Sequence, residues 1–197
     1  MKITVPFYEQ TTDDTCTAAS MIMVLKYFGK LYKLDRKCEI KIYEEIKMPN
    51  RYNIAIVAKR YGLYPVIITN VRTVESRKWL KSIGKSQREI NDMKKIILKS
   101  RQRAKRLDIR EILVRSINVS DITKILKNGG IPVIEINAKL LNHDEVPHMV
   151  VITSVSKNSI TLNDPLSKSP RSVSIKLFNK MKDFYGDQIL IALFLKT

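Results

Sequence analysis

Gln10-Thr11-Thr12-Asp13-Asp14-Thr15-Cys16-Thr17-Ala18-Ala19-Ser20-Met21-Ile22-Met23-Val24-Leu25 is the stretch whose reading decides the fold. Residues 11–15 are dense in side chains that cap helices. From Ala18 onward the chain is apolar nearly all round, the pattern of a buried helix. The change of character falls at Cys16. The spacing predicts a helix from Cys16 to about Phe28, stopped by Gly29, with Lys26 and Lys30 at its negative end. A cysteine in the first helical turn faces unpaired backbone N–H groups and the positive end of the helix dipole. Both favour thiolate, the nucleophilic form. Free cysteines also serve as small buried core residues, so position alone does not assign chemistry.

Three more residues complete a set. His148 opens the apolar run Met149-Val150-Val151-Ile152, at a strand start where an imidazole reaches a sheet edge. Asp164 closes the next strand, in Leu162-Asn163-Asp164-Pro165. A hairpin between the two would lay carboxylate beside imidazole, and a carboxylate at Nδ1 would fix the tautomer. Asn163 is an alternative orienter. Gln10 offers an amide N–H for an oxyanion, with the Cys16 backbone N–H as second donor. A thiol, a base, an orienting acid and an amide donor are the parts of cysteine-based acyl transfer. The chain's other histidine, His143, lies in the polar loop Asn142-His143-Asp144-Glu145 and reads as solvated.

Outward from these residues the elements alternate. Lys2 to Gln10 reads as a short strand and a loop, with Pro6 at the strand edge. Helical character returns over 34–46 and again over 53–61, the latter capped by Asn53 and stopped by Gly62. Pro65-Val66-Ile67-Ile68-Thr69 is a β-branched strand. Helices with narrow apolar stripes are expected over 89–98 and 108–117. Between them, Lys99-Ser100-Arg101-Gln102-Arg103-Ala104-Lys105-Arg106 is expected to project from the domain or lie on its surface. Ser120 or Asp121 caps a helix ending at Gly129-Gly130, followed by a strand over 131–136 and a polar loop over 137–147. A hairpin over 148–163, a helix over 174–184 and a strand over 188–195 complete the chain.

Composition narrows the class. In 197 residues, 44% hydrophobic, one domain with an ample core is expected. The longest apolar run is seven residues, Ile189 to Leu195, against the ~20 needed to span a bilayer, so a membrane partner is not expected. Two cysteines, Cys16 and Cys38, are too few for a disulfide scaffold and suit a reducing cytoplasm. Two histidines and no Cys/His cluster leave no site for zinc, and no cofactor is expected. The net charge is +17, and residues 72–115 hold 15 basic and 5 acidic residues. Such a field attracts polyanions, so nucleic acid or an acidic protein is a possible partner of the basic segment 72–117. Trp79 is its sole aromatic residue, which favours phosphate contact over base stacking.

With these residues in view, the chain resembles the C39-like cysteine peptidases of the papain-like superfamily. That family opens with Val-Pro…Gln and an Asp-Cys-Gly-Pro-type helix start. Here the counterparts are Val5-Pro6-Phe7-Tyr8-Glu9-Gln10 and Asp13-Asp14-Thr15-Cys16-Thr17-Ala18. A Gly-x-Pro-Val strand, a Gly-His-x-Val-Val strand and an Asn-Asp-Pro turn follow in the family. Here they read Gly130-Ile131-Pro132-Val133, Pro147-His148-Met149-Val150-Val151 and Asn163-Asp164-Pro165. The likeness spans roughly 3–70 and 120–195. It implies an α+β papain-like fold, the cysteine helix packed on an antiparallel sheet, with 72–117 as a basic helical insertion in a single domain of 1–197. It also implies Cys16 as nucleophile, His148 as base and acid, Asp164 as orienter and Gln10 in the oxyanion hole. The implied reaction is hydrolysis of a peptide or amide; in the family it sometimes follows a double-glycine leader. Thr17 and Ala18 stand where the family has Gly-Pro, and Pro147 where it has glycine. The same machinery could transfer the acyl group to an amine or thiol. Alternatively, the domain is a basic binding module with a vestigial site, or the basic helices flank the cleft and recruit acidic peptides.

Overall fold

Thr15 ends the polar run and helix α1 (Cys16–Tyr27) starts at the cysteine in the computed structural model, which describes residues 2–72 and 76–196. Ala18, Ala19, Met21, Ile22, Met23, Val24 and Leu25 are all fully buried, as an all-round apolar helix requires. Gly29, at φ 67°, takes the left-handed turn that ends it. Asp35 caps α2 (Arg36–Ile46), accepting from Cys38 N at 2.8 Å. Helix α3 (Arg51–Arg60) is capped by Asn50, whose side chain accepts from Tyr52 N and Asn53 N. The expected cap, Asn53, instead lies in the first turn. Pro49 biases the chain before it toward extended backbone, and Asn50 is the next polar acceptor in line.

One seven-stranded sheet forms the middle of the molecule. Its strands are β1 (Leu63–Thr69), β2 (Arg110–Leu113), β3 (Ile131–Asn137), β4 (Pro147–Val155), β5 (Ser159–Asn163), β6 (Arg171–Ser174) and β7 (Ile189–Leu195), in the order β2-β1-β7-β3-β4-β5-β6. Every pairing is antiparallel except β1 with β2. Alternation sorts the central strands onto two cores. Val133, Val151, Ile191 and Leu193 face α1 to α3. Ile134, Val150, Ile152 and Leu190 face α6 (Val119–Lys127) and α7 (Ile175–Met181). Helices therefore cover both faces, and the fold is α+β with the cysteine helix against the sheet. Among the described residues no helix is long and apolar enough to cross a membrane.

The basic segment corrects the sequence reading. It forms α4 (Arg77–Ser82) and one long helix, α5 (Gln87–Arg106), opened by a Ser86–Glu89 capping box. Of the two placements expected for the run 99–106, it lies on the surface rather than projecting: it is the last two turns of α5, with Lys99, Gln102, Arg103, Lys105 and Arg106 exposed and Ser100 and Ala104 buried. Leu80, Ile90, Ile97 and Ala104 pack against Tyr52 and Ile56 of α3 and Ile67 of β1. The helix expected over 108–117 is instead strand β2, paired in parallel with β1. Its Ile109-Ile112-Leu113 spacing imitates a helical stripe, but the open edge of β1 takes the segment. Glu111 then reaches two helices: Tyr52 Oη donates to it at 2.5 Å, Arg101 Nη2 lies at 2.8 Å, and buried Arg51 Nε at 3.4 Å. Helix α6 is capped by Asn118 rather than by Ser120 or Asp121, so it starts two or three residues earlier than expected, at Val119, and Asp121 accepts from Asn118 N at 2.9 Å. Helix α7 ends at Met181, short of Phe184.

Candidate active site

Glu39 sets the loop that delivers Cys16. This carboxylate sits on α2, is wholly buried, and accepts from the Thr11 hydroxyl at 2.6 Å, the Thr15 hydroxyl at 2.5 Å and Tyr8 Oη at 3.1 Å. Thr11 N donates to its other face at 3.0 Å. A buried charge needs such a set of donors, and here the donors all come from residues 8–15. Burial and the Glu39 carboxylate push the Tyr8 phenol well above its usual range, so Tyr8 stays a donor. The Ser20 hydroxyl donates to Met149 O at 2.9 Å and ties α1 to β4, next to His148.

Cys16 and His148 act on each other electrostatically across that junction. Burial pushes the Cys16 thiol up, but the hydrogen bond and charge of His148 outweigh it, and the net shift is downward. The Thr17 hydroxyl, 3.9 Å from Sγ, adds to the lowering. For His148, only 2% exposed, burial works against the proton. Hydrogen bonds to Asp164 and Cys16 overcome it and raise the imidazole to about 9. His148 Nε2 lies 2.7 Å from Asp164 Oδ1. The carboxylate therefore holds Nε2, not the expected Nδ1, and leaves Nδ1 for the cysteine. Burial raises the Asp164 carboxyl, but His148 and the Leu166 N–H bring it below its ordinary value. An acid that stays ionised, a cationic imidazole and a thiol shifted toward thiolate form one coupled set.

Asp164 is fully buried and both its oxygens are occupied. Leu166 N donates to Oδ1 at 2.9 Å. His143 Nε2 and Arg171 Nη1 each lie 3.4 Å from Oδ2. His143 is thus not simply solvated: its side chain is 23% exposed and its ring centroid is 6.3 Å from that of His148. Asn163 does not orient the imidazole. Its Nδ2 donates to Val5 O at 3.2 Å and pins the N-terminal segment. Gln10 reaches the same corner through its backbone, donating to Pro165 O at 2.9 Å. Its side-chain Nε2 donates to Thr12 O at 2.7 Å, so one of its two N–H bonds is committed, and Oε1 is buried without a partner.

A cleft of about 400 Å³ opens beside the thiol. Asp13, Asp14 and Thr17 border it on the α1 side, and Pro147 and Met149 on the β4 side. Trp79 and Met93, from the basic segment, form part of its far wall. Trp79 Nε1 donates to Glu145 O at 3.0 Å, which straps α4 to the loop leading into His148. Glu39, His143, Arg171, Trp79 and Met93 were not picked out from sequence as site residues. A buried acid at a helical position otherwise facing the core was the one readable hint, at Glu39. A larger hollow of about 520 Å³, rimmed by Lys41, Lys47, Arg60 and Arg103, includes none of the Cys16 group.

Comparisons with known proteins agree with the architecture. A family model described as "Peptidase_C39 like family" matches residues 5–179. No curated protein matches the chain. A double glycine motif protease from an AMS/PCAT transporter, solved with its leader peptide, superposes with TM-score 0.52 at 18% identity, over 98% of this chain and 94% of that one. A C39-like peptidase from Bacillus anthracis gives TM-score 0.56 at 18% identity, over 98% and 96%. The peptidase domain of Streptococcus ComA gives 0.51 at 14%, over 98% and 100%.

Proposed function

The chain belongs to the C39-like peptidase family, and we propose that it is an active member: a thiol hydrolase that cuts a peptide or amide bond with Cys16, His148 and Asp164. The single observation that carries this reading is the Asp164–His148 contact at 2.7 Å, with the Cys16 thiol drawn down by the same imidazole. Cys16 thiolate adds to the scissile carbonyl carbon, and the C=O electron pair moves to oxygen. The Cys16 backbone N–H and the uncommitted N–H of Gln10 are the proposed donors to that oxyanion; one such donor is typically worth ~3–4 kcal/mol. Nδ1–H of His148 passes its proton to the leaving amine as the C–N bond breaks. The acyl group is now a thioester on Cys16. Water then loses a proton to His148, attacks the thioester, and releases a carboxylic acid and the thiolate. Asp164 stays ionised throughout and keeps the ring aligned. Both cysteines are free, as a working thiol requires, and the reducing cytoplasm is the proposed compartment.

Cys38 provides the internal control for the test. Burial and the neighbouring Asp35 carboxylate push its thiol up, opposite to Cys16. Iodoacetamide at neutral pH is expected to modify Cys16 at least ten times faster than Cys38, and His148→Ala is expected to remove the difference. Equal rates for the two thiols in the native protein sink the proposal.

A second reading concerns the basic segment. Lys95, Lys99, Arg103 and Arg106 are exposed along α5, outside the cleft. They support binding of nucleic acid through phosphates, as an activity separate from Cys16. Filter binding across a salt series tests it: an affinity that does not fall with salt removes the phosphate reading. The recruitment of acidic peptides finds no support in the cleft, where the basic segment contributes Trp79 and Met93 but no cation.

A further inference from the structure

We propose that the hollow between α2, α3 and α5 is a binding site for a compact polyphosphate group, separate from the Cys16 cleft and independent of the peptidase reading. Each helix turns one face into it. Lys41, Glu44 and Glu45 share a face of α2, spaced by three and four residues. Arg60 shares a face of α3 with buried Ile56 and Val57, and Ser100 and Arg103 lie one turn apart on α5. The packing of three helices therefore builds the hollow. None of these residues lines the cleft beside the thiol, toward which α3 turns Ile54 instead. Its volume, about 520 Å³, is that of a small-molecule site and exceeds what one phosphate ion fills.

Charge names the ligand. Lys41, Lys47, Arg60 and Arg103 are exposed at the rim. Among the described residues none of the four lies within ion-pair distance of a carboxylate. Two acids share the rim: Glu45 accepts from Tyr61 Oη at 3.0 Å, and Glu44 is exposed. Four cations against two acids leave the hollow positive. Helix dipoles account for Arg60 and Arg103, which lie in last turns. They do not account for Lys41, in the middle of α2, or for the conformation of Lys47. Lys47 holds φ 61°, a backbone state that suits glycine and strains a side chain. On α5, Ser100 is 8% exposed and interrupts the apolar stripe of Ile97 and Ala104, which puts a hydroxyl donor in the wall of the hollow. Cations converging from three elements match an anion of several charges, and arginine forks hold phosphate oxygens two at a time. Among the described residues no aromatic side chain lines the hollow, so it grips phosphates rather than a base.

Calorimetric titration of the full chain with tripolyphosphate, ATP, adenosine and oligothymidylate tests the site. Tripolyphosphate and ATP are expected to bind one per chain and adenosine not to bind, with affinity falling as salt rises. Equal affinity for the two assigns the contact to phosphates of any source, and tighter binding of ATP identifies a nucleotide. Lys47→Gly and Arg60→Gln are each expected to weaken tripolyphosphate binding about 10-fold. Lys47→Gly relieves the positive φ, so its melting temperature is expected to hold or rise, and binding lost there is not folding lost. Lys95→Ala and Lys99→Ala, on α5 outside the hollow, are expected to leave the affinity within about 2-fold. Three results overturn the proposal: no heat with tripolyphosphate, losses as large for Lys95→Ala or Lys99→Ala as for Lys47→Gly, or binding of oligothymidylate without tripolyphosphate. The last leaves only the row of cations along α5. Cleavage by Cys16 plays no part in the readout, so the site and the hydrolase stand or fall separately.

Discussion

His148 carries the pH dependence. Its imidazole is raised to about 9 from an ordinary 6.5, so its contribution to stability is complete below about 6.5 and is lost as pH climbs through about 9. Cys16 is shifted the other way, below its usual 9.0, and its thiolate is lost as pH falls through that lowered value. Between the two limits thiolate and imidazolium coexist. The rate of peptide cleavage against pH is expected to be a bell whose alkaline limb lies near 9; these values belong to the pair as a unit. An alkaline limb at 7 or below contradicts the coupling. The far oxygen of Asp164 offers a second residue-scale test. Arg171→Ala removes one contact at 3.4 Å and His143→Ala the other, while Oδ1 keeps its bonds to His148 and Leu166. Each is expected to lower kcat several-fold with KM nearly unchanged. Asp164→Asn, which strikes the imidazole directly, is expected to lower kcat by ~10²–10⁴.

At the scale of elements, α2 governs the reactive end of α1. Glu39 gathers donors from Tyr8, Thr11 and Thr15, so residues 8–15 take their course from a helix that contributes nothing to the chemistry itself. Glu39→Ala leaves those groups without their acceptor, and ~1–3 kcal/mol of stability is expected to be lost for each that stays buried and unsatisfied. Thermal unfolding measures that loss. Glu39→Gln, which restores some acceptors, is expected to recover stability more than the Cys16 labelling rate. The same scale shows what the chain's wording made readable. The Cys16 helix, the hairpin carrying His148 and Asp164, and the last strand all obey local periodicity, and Gly29 stops the first of them. The segment over 108–117 did not, because its strand identity depends on the free edge of β1 and on Arg51 and Arg101 waiting for Glu111. His143 and Arg171 were hidden for a like reason. Nothing near either in sequence signals Asp164, which lies 21 and 7 residues away.

For the whole molecule, the basic segment is structural before it is anything else. Helix α5 covers Tyr52, Ala55 and Ile56 of α3 as well as Ile67 of β1, and β2 extends the sheet beyond β1. Deleting 81–106 is therefore expected to give a protein with no cooperative melting transition by circular dichroism, rather than a trimmed enzyme. A variant that melts sharply near the native temperature refutes this. Neutralising the exposed cations of α5 instead leaves Ile90, Ile97 and Ala104 in place, and so isolates charge from packing. The outermost strand adds one more consequence. Arg171 begins β6, whose outer rim has no neighbour in the sheet order, yet its guanidinium touches Asp164. Fraying at that border would withdraw a brace from the acid, so a peripheral ribbon far from the thiol would loosen the proposed alignment of Asp164 with His148.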